Sequence, residues 1–274
     1  MCEAPGAMIV AQITDLHIKP VGRFANRRID TATHLRRAVE ALSALDPPAD
    51  VVLATGDLVD GGDPAEYEHL RRLLAPLARP VFVVPGNHDA RRPLFDAFKQ
   101  GGHIAGDGRF LHYTVEDWPV RLIGLDTTVP GEPGGLLCAE RLAWLGERLS
   151  EQPDRPTLLF MHHPPFRTGI AHMDAMGLAD ADRLAALVTR HPQVERIVCG
   201  HIHRSIQAAF AGTVASVAPS TAHQVALALD PGAPAAFVME PPGFHIHVWQ
   251  PGAAMATHTA FIGDYAGPYL FGED

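Results

Sequence analysis

The stretch VFVVPGNHDA at residues 81–90 joins an apolar run of strand length directly to a glycine, an asparagine, a histidine and an aspartate. The same arrangement of an apolar run that ends on polar residues recurs in MIVAQITDLH at 8–17, VVLATGD at 51–57, TLLFMHHPP at 157–165 and RIVCGHIH at 196–203. In an open α/β sheet, ligands bind in the crevice beyond the carboxyl ends of the strands. We therefore expect these five blocks to converge on one edge of the fold.

The polar residues that end the blocks are of the types that bind metal ions. They are aspartate, asparagine and histidine, whose oxygen and nitrogen atoms suit hard and borderline divalent cations. The candidate ligands are Asp15, His17, Asp57, Asn87, the adjacent pair His162 and His163, His201 and His203. Their common position at strand ends predicts a metal site.

Spacing and charge favour a site for two ions. Asp15 and His17 are two residues apart, so they share a face if strand geometry continues past the strand end. His201 and His203 have the same spacing, although a turn between them would direct them to different ions. Asp57 has two carboxylate oxygens and can bridge two cations. Two divalent ions with Asp15, Asp57 and one hydroxide carry a formal charge of about +1, which attracts a phosphodiester anion.

Composition bounds the class of protein. The chain has 274 residues, of which 47% are hydrophobic and 19% are charged, as in an ordinary globular protein. Its net charge of −9 argues against a nucleic acid polymer or an anionic membrane as partner. No run approaches the roughly 20 apolar residues of a membrane span. The first residues lack the basic and apolar regions of a secretory signal, so we expect a cytoplasmic protein.

The order of elements predicts an α/β sandwich. Amphipathic patterns predict helices near 31–45, 64–78, 92–99, 139–150 and 181–190, which alternate with the apolar strands. From Ser205 onward the pattern changes to short β-like runs, which we expect to be largely antiparallel. We divide the chain into a catalytic core at 1–210 and a β-rich segment at 211–274 that completes the sandwich, caps it or mediates assembly. His245 and His247 lack an accompanying carboxylate motif, so we expect them on a solvated strand face or at an interface.

In this order, the blocks D-x-H, G-D, G-N-H-D, H-x-P and G-H-x-H resemble those of the calcineurin-like metallophosphoesterase superfamily. The chain is most similar to the bacterial glycerophosphodiesterase and class III cyclic-nucleotide phosphodiesterase branch. This similarity extends to the segments FMHHPP, AHMD, CGHIH, STAHQV and YAGPYL. The resemblance implies a four-layer αββα sandwich, a binuclear centre of iron, manganese, zinc or cobalt, and a homo-oligomer.

The resemblance also implies how the ligands are shared. One ion would be held by Asp15, His17, Asp57 and His203, and the other by Asp57, Asn87, His162 and His201. His162 is chosen over its neighbour because the family pattern is H-x-P and Pro164 lies two residues later. His163 should then point away, since adjacent side chains diverge on extended backbone.

The implied reaction is hydrolysis of a small phosphodiester by a metal-bound hydroxide. His88 resembles the family histidine that contacts the phosphate and protonates the departing alkoxide. Asn87, His223 and Arg27 are further candidates for substrate contacts, and Asp89 is a candidate for orienting a histidine. Glycerophosphodiesters and 3′,5′-cyclic nucleotides both remain open as substrates. The alternatives are a dedicated cyclic-AMP phosphodiesterase, a phosphomonoesterase, a binding protein that keeps only the fold, and a DNA nuclease. The net charge of −9 disfavours the nuclease.

Overall fold

The computed structural model describes residues 6–104 and 108–272. The first five residues, on which the expectation about a secretory signal partly rests, lie outside this description. The strands are β1 Met8–Ile13, β2 Val51–Thr55, β3 Val81–Val84, β4 Tyr113–Val115, β5 Arg121–Leu125, β6 Gly135–Leu136, β7 Thr157–Met161, β8 Leu178–Ala179, β9 Val194–Cys199, β10 Ile206–Phe210, β11 Thr213–Val217, β12 Gln224–Val225, β13 Phe237–Val238, β14 Gly243–Trp249 and β15 Ala256–Phe261. The helices are α1 Thr31–Ser43, α2 Pro64–Leu74, α3 Arg91–Phe98, α4 Ala139–Glu151, α5 Ala171–Asp174 and α6 Ala181–Val188, with a 3₁₀ turn at Lys99–Gly101.

Two facing sheets form the centre of the molecule. The first has five strands in the order β15-β14-β1-β2-β3, and the second has six in the order β10-β11-β9-β7-β5-β4. The strands β1, β2 and β3 run parallel to one another, as do β5, β7, β9 and β11. Each sheet thus carries a parallel centre whose strands end at one edge.

Helices cover the outer face of each sheet. Leu35 and Val39 of α1 belong to the core of the first sheet, which also takes in Leu158 and Phe160 from the facing sheet. A second core joins the outer face of the second sheet to α4 and α6. The layers therefore follow the order helix, sheet, sheet and helix. The prediction of an αββα sandwich is confirmed. Strands buried on both faces explain the nearly continuous apolar runs in the sequence.

The predicted helices are present, and the largest difference is at the end of α2. This helix begins with a capping box, in which Asp63 and Glu66 each accept a hydrogen bond from the other's backbone. It ends at Leu74, four residues before the predicted end. Pro76 explains the earlier end, because proline has no backbone N–H to donate to a helical hydrogen bond and its ring clashes with the preceding turn.

The C-terminal strands enter both sheets. β14 runs antiparallel to β1, and β15 pairs with β14 at the edge of the first sheet. β10 and β15 are antiparallel to their neighbours as expected, whereas β11 runs parallel to β9. The division at residue 210 stays a prediction. None of the helices in the described ranges has the length and apolar character needed to cross a membrane.

The expectation that His245 and His247 lie on a solvated face is wrong. Both are fully buried, because β14 is an inner strand whose face meets the second sheet. His247 Nε2 lies 3.1 Å from Gln12 Oε1, and its Nδ1 lies 2.8 Å from the Thr257 hydroxyl. His245 Nε2 lies 3.0 Å from Ser205 Oγ. These two histidines therefore belong to a buried polar layer between the sheets.

Candidate metal centre

The five polar blocks meet where the parallel strands of both sheets end. The blocks follow β1, β2 and β3 of the first sheet, and β7 and β9 of the second. Backbone hydrogen bonds join them: the Asp15 amide donates to Gly56 O at 3.1 Å, and the Gly200 amide donates to His162 O at 2.9 Å. The expected convergence on one edge is thus realised, with both sheets contributing.

The backbone of this edge is not extended, contrary to the geometry we expected for Asp15 and His17. The φ angles are 54° at Asp15, 44° at His17, 47° at Asp57, 74° at His201 and 53° at His203. Such left-handed conformations cost non-glycine residues roughly 1–2 kcal/mol each. Their concentration in one place is typical of a functional site, where surrounding structure holds strained residues.

Two glycines in the blocks allow the loops to approach closely. A Cβ placed on Gly86 would overlap the backbone nitrogen and a carboxylate oxygen of Asp57. A Cβ on Gly200 would overlap the hydroxyl of Thr14. The glycines that precede Asn87 and His201 are therefore required by close packing between loops from different strands.

One group of donor atoms surrounds a buried point between β1, β2 and β9. His203 Nε2 lies 3.4 Å from Asp15 Oδ1 and 3.2 Å from His17 Nε2. His17 Nε2 lies 3.6 Å from Asp57 Oδ2. One ligand atom from each of these four residues falls within 4.8 Å of the others, and all four residues are buried. This group matches the set implied for the first ion.

A second group of donor atoms lies on the other side of Asp57. His162 Nε2 is 3.4 Å from Asp57 Oδ1 and 3.1 Å from Asn87 Oδ1. His162 Nδ1 is held 2.9 Å from the Thr55 carbonyl oxygen, which leaves Nε2 facing Asp57 and Asn87. The two oxygens of Asp57 thus face different donor groups, as a bridging carboxylate must.

His201 lies beside His162 of the second group. Its imidazole ring centroid lies 5.1 Å from that of His162. Its Nε2 is buried and has no hydrogen-bond partner among the described residues. An unpartnered buried nitrogen is costly unless something binds it. A metal ion in the second group would bind this atom.

His163 differs from its neighbour His162 in its contacts. It also comes close enough to His162 and His201 to form a metal-sized triad. Both of its ring nitrogens already have partners, however: Nδ1 lies 2.8 Å from Thr127 Oγ1, and Nε2 lies 3.1 Å from Pro133 O. The geometry supports the choice of His162 as the ligand and a structural role for His163.

The pKa values show how strongly these groups interact without a metal. Burial lowers the pKa of His162, but the carboxylates of Asp57 and Asp15 outweigh this effect and raise it to about 9. Burial raises the pKa of Asp15 to about 6. Burial and neighbouring histidines keep the pKa values of His201 and His203 well below 6.5, so both are neutral and able to bind metal.

These observations fit two metal ions. The donors are oxygens and imidazole nitrogens, the two oxygens of one carboxylate face separate groups, and a buried imidazole nitrogen lacks a partner. The carboxylates that raise the pKa of His162 would equally favour a cation at this place. The residues are therefore positioned for a binuclear metal centre.

His88 lies at the exposed side of the centre. Its backbone amide donates to Asp57 Oδ1 at 2.9 Å, and its ring Nδ1 lies 2.9 Å from the Asp60 carbonyl oxygen. Its side chain is 41% exposed, and its ring centroid is 4.7 Å from that of His17. Nδ1 is engaged by the backbone, and no described hydrogen bond involves Nε2.

Asp60 is a site residue that the motif reasoning missed. Its Oδ1 lies 3.2 Å from His17 Nδ1, and its Oδ2 accepts a hydrogen bond of 2.7 Å from Lys19 Nζ. Burial raises the pKa of this carboxyl, but the hydrogen bonds from His17 and Lys19 outweigh burial and bring it well below 3.8. A carboxylate that fixes the orientation of a ligating histidine is a common feature of metal sites. Its position three residues after Asp57 was the only available signal.

The remaining substrate candidates differ in position. His223 is buried beside the first group, with its ring centroid 4.8 Å from that of His203 and 5.7 Å from that of His17. Burial lowers its pKa to about 4. Arg27 lies exposed in the loop between β1 and α1, and the described contacts do not bring it to the ligand residues.

Asp89 holds loops together instead of orienting a histidine. Its carboxylate accepts hydrogen bonds from the backbone amides of Leu58 and Gly86 at 3.1 and 2.8 Å. It also accepts a 2.9 Å hydrogen bond from the Tyr67 hydroxyl. Asp89 thereby ties the block after β2 to the block after β3.

Known proteins resemble this chain in sequence and in fold. The calcineurin-like phosphoesterase family matches residues 8–205. A probable glycerophosphodiester phosphodiesterase GpdQ of Arcobacter nitrofigilis is 39% identical, over 96% of this chain and 97% of that protein. The 3′,5′-cyclic adenosine monophosphate phosphodiesterase CpdA of Escherichia coli K12 is 31% identical, over 78% of this chain and 76% of that protein. A dimetal phosphatase from Danio rerio has the same fold, with a TM-score of 0.65 and 16% identity over 94% of this chain and all of that one.

The chain therefore belongs to the calcineurin-like phosphoesterase family. Within it, the chain is a phosphodiesterase, a hydrolase of phosphoric diesters, whose residues are positioned for a binuclear metal centre.

Proposed function

We propose that this chain hydrolyses small phosphodiesters, with glycerophosphodiesters preferred over 3′,5′-cyclic nucleotides. The observation that carries the reaction class is the Asp57 carboxylate, whose two oxygens face separate donor groups 3.6 and 3.4 Å from His17 and His162. Divalent ions bound by these donor groups would supply Lewis acidity and would activate water at neutral pH.

We assign the ligands to two sets that share Asp57. Asp15, His17 and His203 complete the first set, and Asn87, His162 and His201 complete the second. The Thr55 carbonyl fixes the ring of His162, and the His223 carbonyl lies 3.0 Å from His203 Nδ1. Both rings are thereby oriented before an ion arrives, which reduces the cost of binding it.

His88 and Asn87 act on the substrate in this proposal. Asn87 turns its Oδ1 toward the second donor group, so its amide nitrogen is left to donate to a phosphoryl oxygen. His88 is partly exposed and keeps Nε2 for the leaving oxygen, to which it delivers a proton. His223 borders the same space, whereas Arg27 would need to move toward it to contact a substrate.

The relatives support the order of substrates. The similarity to the probable glycerophosphodiesterase of Arcobacter nitrofigilis spans nearly the full length of both chains. The similarity to the cyclic-AMP phosphodiesterase of Escherichia coli K12 covers 78% of this chain. A cyclic-nucleotide substrate is thus the second candidate, and a phosphomonoester is the third.

A substrate panel tests this proposal. Protein stripped of metal and reconstituted with Mn²⁺ should be offered glycerophosphocholine, cyclic AMP and p-nitrophenyl phosphate at matched concentrations. We expect metal-dependent turnover that is highest for glycerophosphocholine. Much faster turnover of cyclic AMP would reverse the order, and a lack of metal-dependent turnover of either diester would refute the proposal.

An Asn87→Ala variant separates catalysis from the fold alone. We expect it to lose most diesterase activity, since a ligand and a substrate contact disappear together. His258→Gln, on an exposed position of β15, is the matched control and should keep full activity. Unchanged activity in Asn87→Ala would contradict the assignment of the second set.

We also propose iron, manganese, zinc or cobalt as the ions, a cytoplasmic location, and assembly into a homo-oligomer. The donor set of oxygens and imidazole nitrogens supports these metals.

The exposed aromatic residues Tyr265, Tyr269 and Phe271 near the C-terminus support the oligomer, because exposed apolar clusters mark interaction surfaces. Sedimentation velocity would test the assembly directly.

A further inference from the structure

The segment that follows His223 forms a hairpin beside the metal centre. β12 and β13 pair in antiparallel register, and the Ala226 amide donates to Ala236 O at 2.9 Å. The hairpin starts directly after His223, whose backbone carbonyl contacts His203. The hairpin therefore begins next to a residue that contacts His203 of the first donor group.

Phe237 is the hairpin residue with a described ring contact toward the centre. Its ring packs edge to face on the His223 ring, with centroids 5.4 Å apart and planes at 76°. The His223 ring in turn lies 4.8 Å from the ring of His203. Phe237 is nevertheless 38% exposed, so part of its ring remains accessible.

The rest of the hairpin is apolar as well. Leu227 and Leu229 are each 62% exposed. A Cβ placed on Gly169, in the loop after β7, would lie 3.5 Å from Leu229 Cδ2, so the hairpin reaches the loop that follows His162. Asp230 is the one charged residue in the sequence from 224 to 239. The hairpin thus carries exposed apolar side chains, and Phe237 is the one that packs on a histidine beside the first donor group.

A diester has a charged phosphoryl group, which the centre takes, and two organic substituents, which need a different surface. We propose that Phe237 is a specificity-determining residue that contacts one substituent of the substrate and favours a bulky apolar or planar group over a small one. This inference rests on the proposed function, because it requires a phosphoryl group at the metal centre. An aromatic ring suits this task, since it offers apolar area at low conformational cost.

Binding of two phosphonates tests the inference without relying on turnover. Methylphosphonate and phenylphosphonate present the same anionic group and differ only in the organic substituent. Calorimetric titration of the Mn²⁺-reconstituted wild type should show phenylphosphonate binding about five- to tenfold more tightly. Phe237→Ala should bring the ratio close to 1 while methylphosphonate affinity stays unchanged, and Phe237→Leu should keep an intermediate ratio.

Phe261→Ala is the matched control, because Phe261 is an exposed phenylalanine on the edge strand β15. It should keep the wild-type ratio, and metal content and melting temperature should be equal in all variants. A wild-type ratio near 1, or an unchanged ratio in Phe237→Ala, would overturn the inference and leave the proposed function intact. A wild type that neither binds methylphosphonate nor hydrolyses diesters would instead refute the proposed function, and this inference with it.

Discussion

At the scale of single residues, Asp60 shows that the metal centre extends beyond its ligands. Its side chain holds His17 and Lys19, while its backbone carbonyl holds the ring of His88. One residue therefore links a ligand of the first donor group to the proposed proton donor. The two hydrogen bonds use different atoms, but Asp60 Oδ1 also lies 3.9 Å from His88 Nδ1, so removal of the carboxylate charge is felt by both histidines.

Asp60→Asn should weaken metal binding at the first donor group by about 10- to 100-fold, because the charged partner of His17 is lost. The backbone contact to His88 is unaffected by this change. Metal affinity should be measured by competition with a chelator, with the exposed Asp46→Asn as control. Equal affinity in Asp60→Asn and wild type would show that Asp60 does not orient His17.

His162 makes metal binding depend on pH. Its pKa of about 9 in the metal-free protein means that it carries a proton at neutral pH. A metal ion must displace that proton, so the apparent affinity should rise with pH, by up to about tenfold per unit, and level off above pH 9. Calorimetric titrations at pH 6.5, 7.5 and 8.5 in two buffers would detect the released proton. A constant affinity across this range would contradict the assignment.

At the scale of elements, β14 explains why His245 and His247 are buried between the sheets. The strand lies between β1 and β15, so one of its faces meets the second sheet. His245 and His247 are held there by hydroxyl and amide groups. Burial lowers the pKa of His245 to about 4, so this residue is neutral in the folded protein at physiological pH.

This burial makes the fold sensitive to acid. In the unfolded chain His245 takes up a proton below about pH 6.5, whereas in the folded protein it does so only near pH 4. The unfolded state therefore binds more protons in this window, and the free energy of unfolding falls as the pH is lowered, by at most about 3 kcal/mol from this residue. Urea unfolding at pH 7 and pH 5 measures this effect. Between these two pH values, His245→Gln should lose less free energy of unfolding than the wild type, whereas His258→Gln should lose as much as the wild type. Equal losses in His245→Gln and wild type would be inconsistent with this account.

At the scale of the whole molecule, the sequence predicts the sandwich and the meeting of the ligands because both follow from strand ends. An apolar run followed by Gly-Asn-His fixes where a strand stops, and parallel strands stop at a common edge. Pairing between distant segments has no such local signal. The position of β14 beside β1, and hence the burial of His247, depends on contacts across almost the whole chain.

For the candidate site, the sequence predicts the donor residues but not the backbone conformation that presents them. Residue types and spacing predict the candidate donors, since Asp, Asn and His at strand ends have few other common roles in such numbers. The left-handed backbone at Asp15 and His17 was not predictable, because tertiary contacts impose it against local preference. Asp60 was missed for a related reason, as its role depends on where the His17 ring points.

The central claim is that two ions joined by Asp57 are required for diester hydrolysis. The most direct test is a titration of metal-free protein with Mn²⁺ while bound metal and hydrolysis of bis(p-nitrophenyl) phosphate are followed together, in wild type and in Asp57→Asn. Activity in the wild type should reach its plateau at two ions per chain. Asp57→Asn should bind metal more weakly and lose at least about 100-fold in activity, since the charged bridge is gone. Full wild-type activity with one ion per chain, or an unchanged Asp57→Asn, would contradict the account.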